Sequence, residues 1–110
     1  MQESVRFMAN SRFDKKGIGQ KVYELLKIST ERIVSNDVID EIAAMTTQHS
    51  NDLRLGKVFG YSVSEYAFAA LKWINNTYSN GLYDKLIEPI SDERKWRVSE
   101  LVVSEPHKSI

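Results

Sequence analysis

The residues of this chain best suited to catalysis are a histidine with two polar neighbours and a short acidic cluster. His49 is followed by Ser50 and Asp52, which together supply the three residue types of a hydrolase triad. A triad is defined by geometry, and side chains adjacent in sequence point in different directions, so we interpret His49 as a helix-end residue near terminal carbonyls. His49 and Asp52 are also too few to hold a metal ion without a third ligand.

The acidic cluster consists of Asp37, Asp40 and Glu41. General acid–base catalysis needs carboxyl groups in different environments, which push their pKa values apart. A cluster in the first turns of a predicted helix is explained more simply by the positive end of the helix dipole. We therefore predict a solvated helix start here and no catalytic pair.

A glycine pair, Gly17 and Gly19, precedes a predicted helix and suggests a phosphate-binding loop. The dinucleotide fingerprint requires a third glycine where Val22 stands, and no Gly-Lys-Ser/Thr sequence follows. The chain also has no cysteine, which excludes disulfides, thiol nucleophiles and Cys-ligated zinc. The sequence thus predicts a protein that is not an enzyme and binds no cofactor, metal or small-molecule ligand.

The charges sum to zero, with 15 basic and 15 acidic residues, but they are unevenly distributed. Residues 1–34 carry seven basic and four acidic residues, whereas residues 35–70 carry two basic and five acidic residues. Patches of opposite sign can pair with a second copy or with a partner. Random scatter over a solvated surface is the alternative.

The best-defined element is a predicted helix over Tyr61–Gly81, around which the rest of the chain is expected to pack. Ser62 and Glu65 have the capping-box spacing, and Tyr61 and Tyr66 occupy the positions of a hydrophobic staple. The apolar side chains recur every three or four residues, and they include Val63, Tyr66, Ala67, Ala70, Trp73, Ile74 and Tyr78. Gly81 is the predicted end of the helix, and Trp73 is predicted to be core.

Two further helices are predicted before this element. The first runs from about Gly19 to Val34, with a break near Thr30 as an alternative because hydroxyl groups compete for backbone hydrogen bonds. The second begins at Ser35-Asn36-Asp37 and extends to about His49. Residues 50–60 form either a short helix or an irregular loop.

After Gly81 the sequence predicts a short helix ended by Pro89 and a second one beginning at Ser91-Asp92-Glu93. Residues 96–103 are rich in β-formers, so a strand is the alternative to this last helix. Residues 104–110 are expected to be a frayed tail. The predicted fold is mostly α: one compact domain of four to five helices, with a short N-terminal or C-terminal strand as the open question.

Residues 1–13 form a predicted N-terminal arm that contains several large apolar side chains. An isolated arm cannot bury them, so it must dock on its own domain or on a second copy. The candidate protein-interface residues are Phe7, Met8, Arg12 and Phe13.

The preferred functional hypothesis is a small non-catalytic protein-binding module whose partner is another protein, with itself as one candidate in a homo-oligomer. Tyr and Trp are favoured at interface centres, and the chain contains five Tyr and two Trp residues. No apolar run is long enough for a membrane span, and residues 1–13 lack a signal-peptide core. We therefore expect a cytoplasmic protein with no membrane partner.

The alternative hypothesis is a winged-helix-like DNA-binding protein, with residues 50–60 as recognition helix and residues 94–103 as wing. Its candidate DNA contacts are Lys15, Lys16, Arg54, Lys57 and Arg97. The balanced charge argues against this hypothesis, since compact DNA-binding proteins usually carry a basic surplus. The two glycines of the supposed recognition helix argue against it as well.

Overall fold

The computed structural model describes Phe13, residues 17–47, residues 57–58 and residues 60–106. Within these residues the chain forms one mostly α-helical compact domain, as the sequence predicts. The helices are α1 (Ile18–Ser29), α2 (Asn36–Met45), α3 (Val63–Ile74), α4 (Thr77–Ile87) and α5 (Asp92–Val102). Two short strands, β1 (Lys57–Val58) and β2 (Tyr61–Ser62), form an antiparallel ladder that pairs Lys57 with Ser62 and Val58 with Tyr61.

The start of α3 follows the predicted capping box. Ser62 Oγ accepts a hydrogen bond from the Glu65 backbone N–H at 3.2 Å, and Glu65 Oε1 accepts one from the Ser62 backbone N–H at 2.9 Å. Tyr61 and Tyr66 meet edge to face with ring centroids 6.1 Å apart. Both the capping box and the aromatic staple are therefore confirmed.

Helix α3 is the centre of the fold, because it contacts each of the other four described helices. Ten of its twelve residues are buried, including the small residues Ala67, Ala69 and Ala70, which allow close helix approach. Trp73 is only 2% exposed, and its Nε1 donates a hydrogen bond to the Val102 carbonyl of α5 at 3.0 Å. The prediction that Trp73 belongs to the core is confirmed.

The predicted helix over Tyr61–Gly81 is wrong in its second half, where two helices replace one. Helix α3 ends at Ile74, and Asn75 takes the left-handed conformation with a φ of 54°. Asn76 then caps α4 through a hydrogen bond from the Ser79 N–H to its Oδ1 at 2.8 Å. Asparagine tolerates the left-handed region and is also a strong N-cap, so Asn75-Asn76 ends one helix and starts another. Gly81 lies inside α4 instead of ending a helix.

The prediction that the first helix extends to Val34 is wrong, since α1 ends at Ser29. Ser29 Oγ donates to the Leu25 carbonyl at 2.7 Å, and Thr30 Oγ1 donates to the Lys27 carbonyl at 2.7 Å. These hydroxyl groups satisfy carbonyls of the last turn, which is the competition that predicts a break at Thr30.

The second predicted helix begins where expected but ends early. Ser35 caps α2 by accepting from the Val38 N–H at 3.3 Å. The helix stops at Met45, short of the predicted end at His49, and the hydroxyls of Thr46 and Thr47 donate to the carbonyls of Ala43 and Ala44. Residues 48–56, with His49 among them, lie outside the described residues.

The strand alternatives have different outcomes. Residues 92–102 form α5 with Ser91 as N-cap, so the C-terminal strand and the wing over 94–103 are wrong. Val98 and Leu101 are buried at helical spacing, which stabilises a helix despite the β-forming residues. A recognition helix through residue 60 is wrong as well, because residues 57–58 pair as a strand. The N-terminal strand lies outside the described residues.

The chain leaves α5 through a turn at residues 103–104, and residues 107–110 of the predicted tail lie outside the described part. Among the described helices, none is long and apolar enough to cross a lipid bilayer.

Candidate functional site

Helix α5 has two chemically different sides. Its inner side buries Val98 and Leu101, and the helix packs against α3. Its outer side exposes two large apolar residues: Trp96 is 63% exposed and Val103, directly after the helix, is 83% exposed. The two sides differ in charge because the arginine side chains of α5 extend toward α3.

Arg97 turns inward to the start of α3. Its Nε donates to Glu65 Oε2 at 2.8 Å, its Nη2 donates to Glu65 Oε1 at 3.3 Å, and Nη2 also donates to the Gly60 carbonyl. The guanidinium lies over the Tyr61 ring, 4.9 Å from the centroid. Because Glu65 is only 2% exposed, this contact neutralises a carboxylate that has left water.

The pKa values of Glu65, Arg97 and Tyr61 follow from burial, from the ion pair and from hydrogen bonds. Burial by itself raises the pKa of Glu65, but the hydrogen bonds from Arg97 and Ser62 and the nearby positive charges outweigh burial and lower it. The hydrogen bond to Glu65 raises the pKa of Arg97. Burial, followed by the hydrogen bond to Glu100, raises the pKa of Tyr61. Glu65 and Arg97 are therefore both charged at neutral pH and form an ion pair.

Arg94 also turns inward. Its Nη2 donates to Ser64 Oγ at 2.8 Å, and Ser64 Oγ in turn donates to the Thr46 carbonyl at 2.9 Å. This chain of hydrogen bonds links α5 to α3 and to the end of α2. Both arginines of α5 therefore bind polar groups at the start of α3.

The outer side of α5 can be derived from the helical period of about 100° per residue. Measured around the axis, the residues within about 60° of Trp96 are acidic, apolar or serine. We call this set the α5 outer face: Asp92, Glu93, Trp96, Ser99, Glu100 and Val103. The three cations of the helix, Arg94, Lys95 and Arg97, all lie about 100° or more from Trp96.

The carboxyl groups of the α5 outer face have different partners. Glu100 accepts a hydrogen bond from the Tyr61 hydroxyl at 3.1 Å. Asp92 and Glu93 are exposed, and among the described residues their carboxylates form no ion pair. The face therefore combines an exposed indole ring with uncompensated negative charge at its N-terminal end.

The candidate interface residues of the N-terminal arm are placed only in part. Phe13 is buried in the core cluster, while Phe7, Met8 and Arg12 lie outside the described residues. Self-association through the arm stays a prediction.

The candidate DNA contacts lie only in part within the described residues, so these contacts stay a prediction. Lys15, Lys16 and Arg54 lie outside it, and of Lys57 only its place in β1 is described. Arg97, the fifth candidate, is held against Glu65 and not on an open basic surface.

Asp37 and Asp40 of the acidic cluster are exposed, as the sequence predicts. The Tyr78 hydroxyl donates to Asp40 Oδ1 at 2.5 Å, which joins α4 to α2 and raises the pKa of Tyr78. Within the described ranges, no group of three or more His, Asp or Glu side chains has the arrangement of a metal site.

The α5 outer face is not among the sites predicted from the sequence, where Trp96 is only one of the two Trp residues counted. The available signal was the spacing of Trp96 and Val103, seven residues apart, with acids one turn before and one turn after Trp96. Once residues 92–102 are helical, that spacing places all of them on one side.

Compared with known proteins, the chain matches no family model, no curated protein and no solved structure.

Proposed function

We propose that the protein is a non-catalytic protein-binding module whose partner docks on the α5 outer face. The observation that carries the proposal is the 63% exposure of Trp96 on a helix whose arginines are both engaged inward. Leaving a large apolar side chain in water forfeits roughly 1.5–3 kcal/mol of burial free energy. A partner that covers Trp96 recovers that free energy.

The chemistry of the face supports a protein as partner. Tryptophan is enriched at the energetic centres of protein interfaces, where it combines a large apolar area with an N–H donor. Val103 lies two turns further along the same side and extends the apolar contact. A single exposed helix face of this kind fits a partner segment of similar length.

The test is Trp96→Ala, with Tyr23→Ala as matched control. Tyr23 is an aromatic residue of α1 with a similar exposure of 67%, and it lies outside the α5 outer face. Each tagged protein is used for pull-down from native extract, and the affinity for the recovered partner is measured by calorimetry. We expect Trp96→Ala to weaken binding by about tenfold or more, while Tyr23→Ala leaves it unchanged.

Sedimentation of the pure protein at tens of micromolar tests the case in which the partner is a second copy. Equal affinities of Trp96→Ala and wild type for every recovered partner, together with equal sedimentation, would contradict the proposed site.

A further inference from the structure

We infer that the occupant of the α5 outer face is a basic, apolar helix of a different protein. This inference rests on the proposed function and adds the chemical class of the partner. It is carried by the sorting of charges within α5, in which the acids face outward and the arginines face inward.

The first step is the sign of the charge. Asp92 and Glu93 are exposed one turn before Trp96, whereas the Arg97 guanidinium, about 100° around the helix from Trp96, is held 2.8 Å from Glu65. Asp92 and Glu93 also suit the positive end of the α5 dipole, but that role leaves their charge accessible to a partner. A segment that covers Trp96 therefore meets negative charge at one end of the contact.

The second step is the kind of side chain that fits beside the indole. A lysine or arginine of the partner can lie over the exposed Trp96 ring and pair with Asp92 or Glu93 at the same time. The domain itself uses this combination at Arg97, which contacts both the Tyr61 ring and the Glu65 carboxylate.

The third step is the geometry of the contact. Trp96 and Val103 are separated by two helical turns, about 10 Å at 1.5 Å per residue. That distance matches apolar anchors seven residues apart on a partner helix, which is a common mode of helix recognition. An amphipathic helix with basic residues flanking its first anchor satisfies both the apolar and the charge requirement.

The same charges disfavour other occupants. Two copies of the α5 outer face would oppose Asp92, Glu93 and Glu100 of one chain with the same residues of the other, and neither face carries a cation to pair with them. Nucleic acid carries the same sign of charge as the face.

The experiment uses the full chain and two synthetic amphipathic peptides of about 14 residues, one built from leucine and lysine and one from leucine and glutamate. Calorimetry at low salt measures the affinity of each peptide for wild type, for Trp96→Ala and for Asp92→Lys/Glu93→Lys. The matched control is Asp37→Lys/Asp84→Lys, which changes net charge equally at exposed positions of α2 and α4. Circular dichroism and urea denaturation establish that every variant is folded.

We expect the lysine peptide to bind wild type and the glutamate peptide not to bind. Asp92→Lys/Glu93→Lys and Trp96→Ala should each weaken the lysine peptide by about tenfold or more, and the control double variant by less than about threefold. Equal losses in the two double variants would overturn the inference, because the peptide would then respond to net charge alone.

Two further outcomes separate this inference from the proposed function. If Trp96→Ala abolishes binding of the native partner and Asp92→Lys/Glu93→Lys does not, the protein-binding site stands and the basic partner is contradicted. If the wild-type protein is a dimer in sedimentation and Trp96→Ala makes it a monomer, a second copy is the occupant and the inference fails.

Discussion

Arg97 shows how one side chain joins several parts of this fold. Its guanidinium binds the Glu65 carboxylate of α3, the Gly60 carbonyl of the preceding turn and the face of the Tyr61 ring. Glu65 also completes the capping box through the Ser62 N–H. The Glu65 carboxylate therefore stabilises both the start of α3 and the packing of α5 on α3.

The Glu65–Arg97 pair predicts a specific dependence of stability on pH. The pKa of Glu65 is lower in the folded protein than its usual value of 4.5, so the unfolded chain binds more protons as the pH falls. The stabilisation is complete above that value and is lost as the pH falls through the folded pKa. We expect the free energy of unfolding of wild type to fall more steeply below about pH 5 than that of Glu65→Gln.

Urea denaturation at several pH values measures this difference. Glu93→Gln removes an exposed carboxyl group outside the Glu65–Arg97 pair and is the matched control. Parallel pH profiles of wild type and Glu65→Gln would show that the ion pair does not contribute to acid sensitivity.

At the scale of the elements, helix ends are set by a few polar residues and not by the apolar pattern. The apolar spacing runs from Val63 through Tyr78 to Leu82 without a break, yet the chain forms two helices over these residues. The boundary is made by Asn75 in the left-handed conformation and by the reciprocal Asn76–Ser79 cap.

Substitution by alanine is predicted to change the stability of the protein in opposite directions at two glycines. Gly81 lies in the middle of α4, and a Cβ there would meet no atom within 4 Å, so Gly81→Ala should stabilise the protein by about 0.5–1 kcal/mol through helix propensity. Gly60 has a φ of 87°, so Gly60→Ala should destabilise it by about 1–2 kcal/mol. Urea denaturation of both variants tests the pair. A loss of stability in Gly81→Ala would indicate that a helix ends at Gly81.

At the scale of the whole molecule, α3 makes the fold one unit because the four other described helices all pack on it. Its central side chains are almost completely removed from water, including Phe68, Leu71 and Trp73. A change in α3 therefore alters its interface with each of the other four described helices.

Trp73→Ala is the sharpest test of this arrangement. Removing the indole leaves a cavity in the core and an unpaired Val102 carbonyl, so we expect a loss of about 3–5 kcal/mol. This loss is large compared with typical domain stabilities of about 5–15 kcal/mol. Trp96→Ala, on the exposed side of α5, is the control and should change stability by about 0.5 kcal/mol or less. Equal denaturation midpoints for the two variants would contradict the central role of α3.

The features of this protein that can be predicted from the sequence are local. The capping box at Ser62 and the N-caps at Ser35 and Ser91 follow from spacings of three residues, which a helix start brings together without help from the rest of the chain. Spacings of three or four residues also place Trp73 on the apolar face of its helix, and the packing of the other helices then buries it. The mostly α-helical class follows from the same short-range signals.

Contacts between residues distant in sequence cannot be predicted in this way, because they depend on how the helices pack. Arg94 reaches Ser64 and Arg97 reaches Glu65 across 30 and 32 positions of sequence, and no periodicity within α5 encodes those partners. These contacts turn the positive charge inward and leave Trp96 beside exposed acids. The outer face of α5 is thus defined by the packing of α5 on α3, because the side that α3 buries determines the side that remains for a partner.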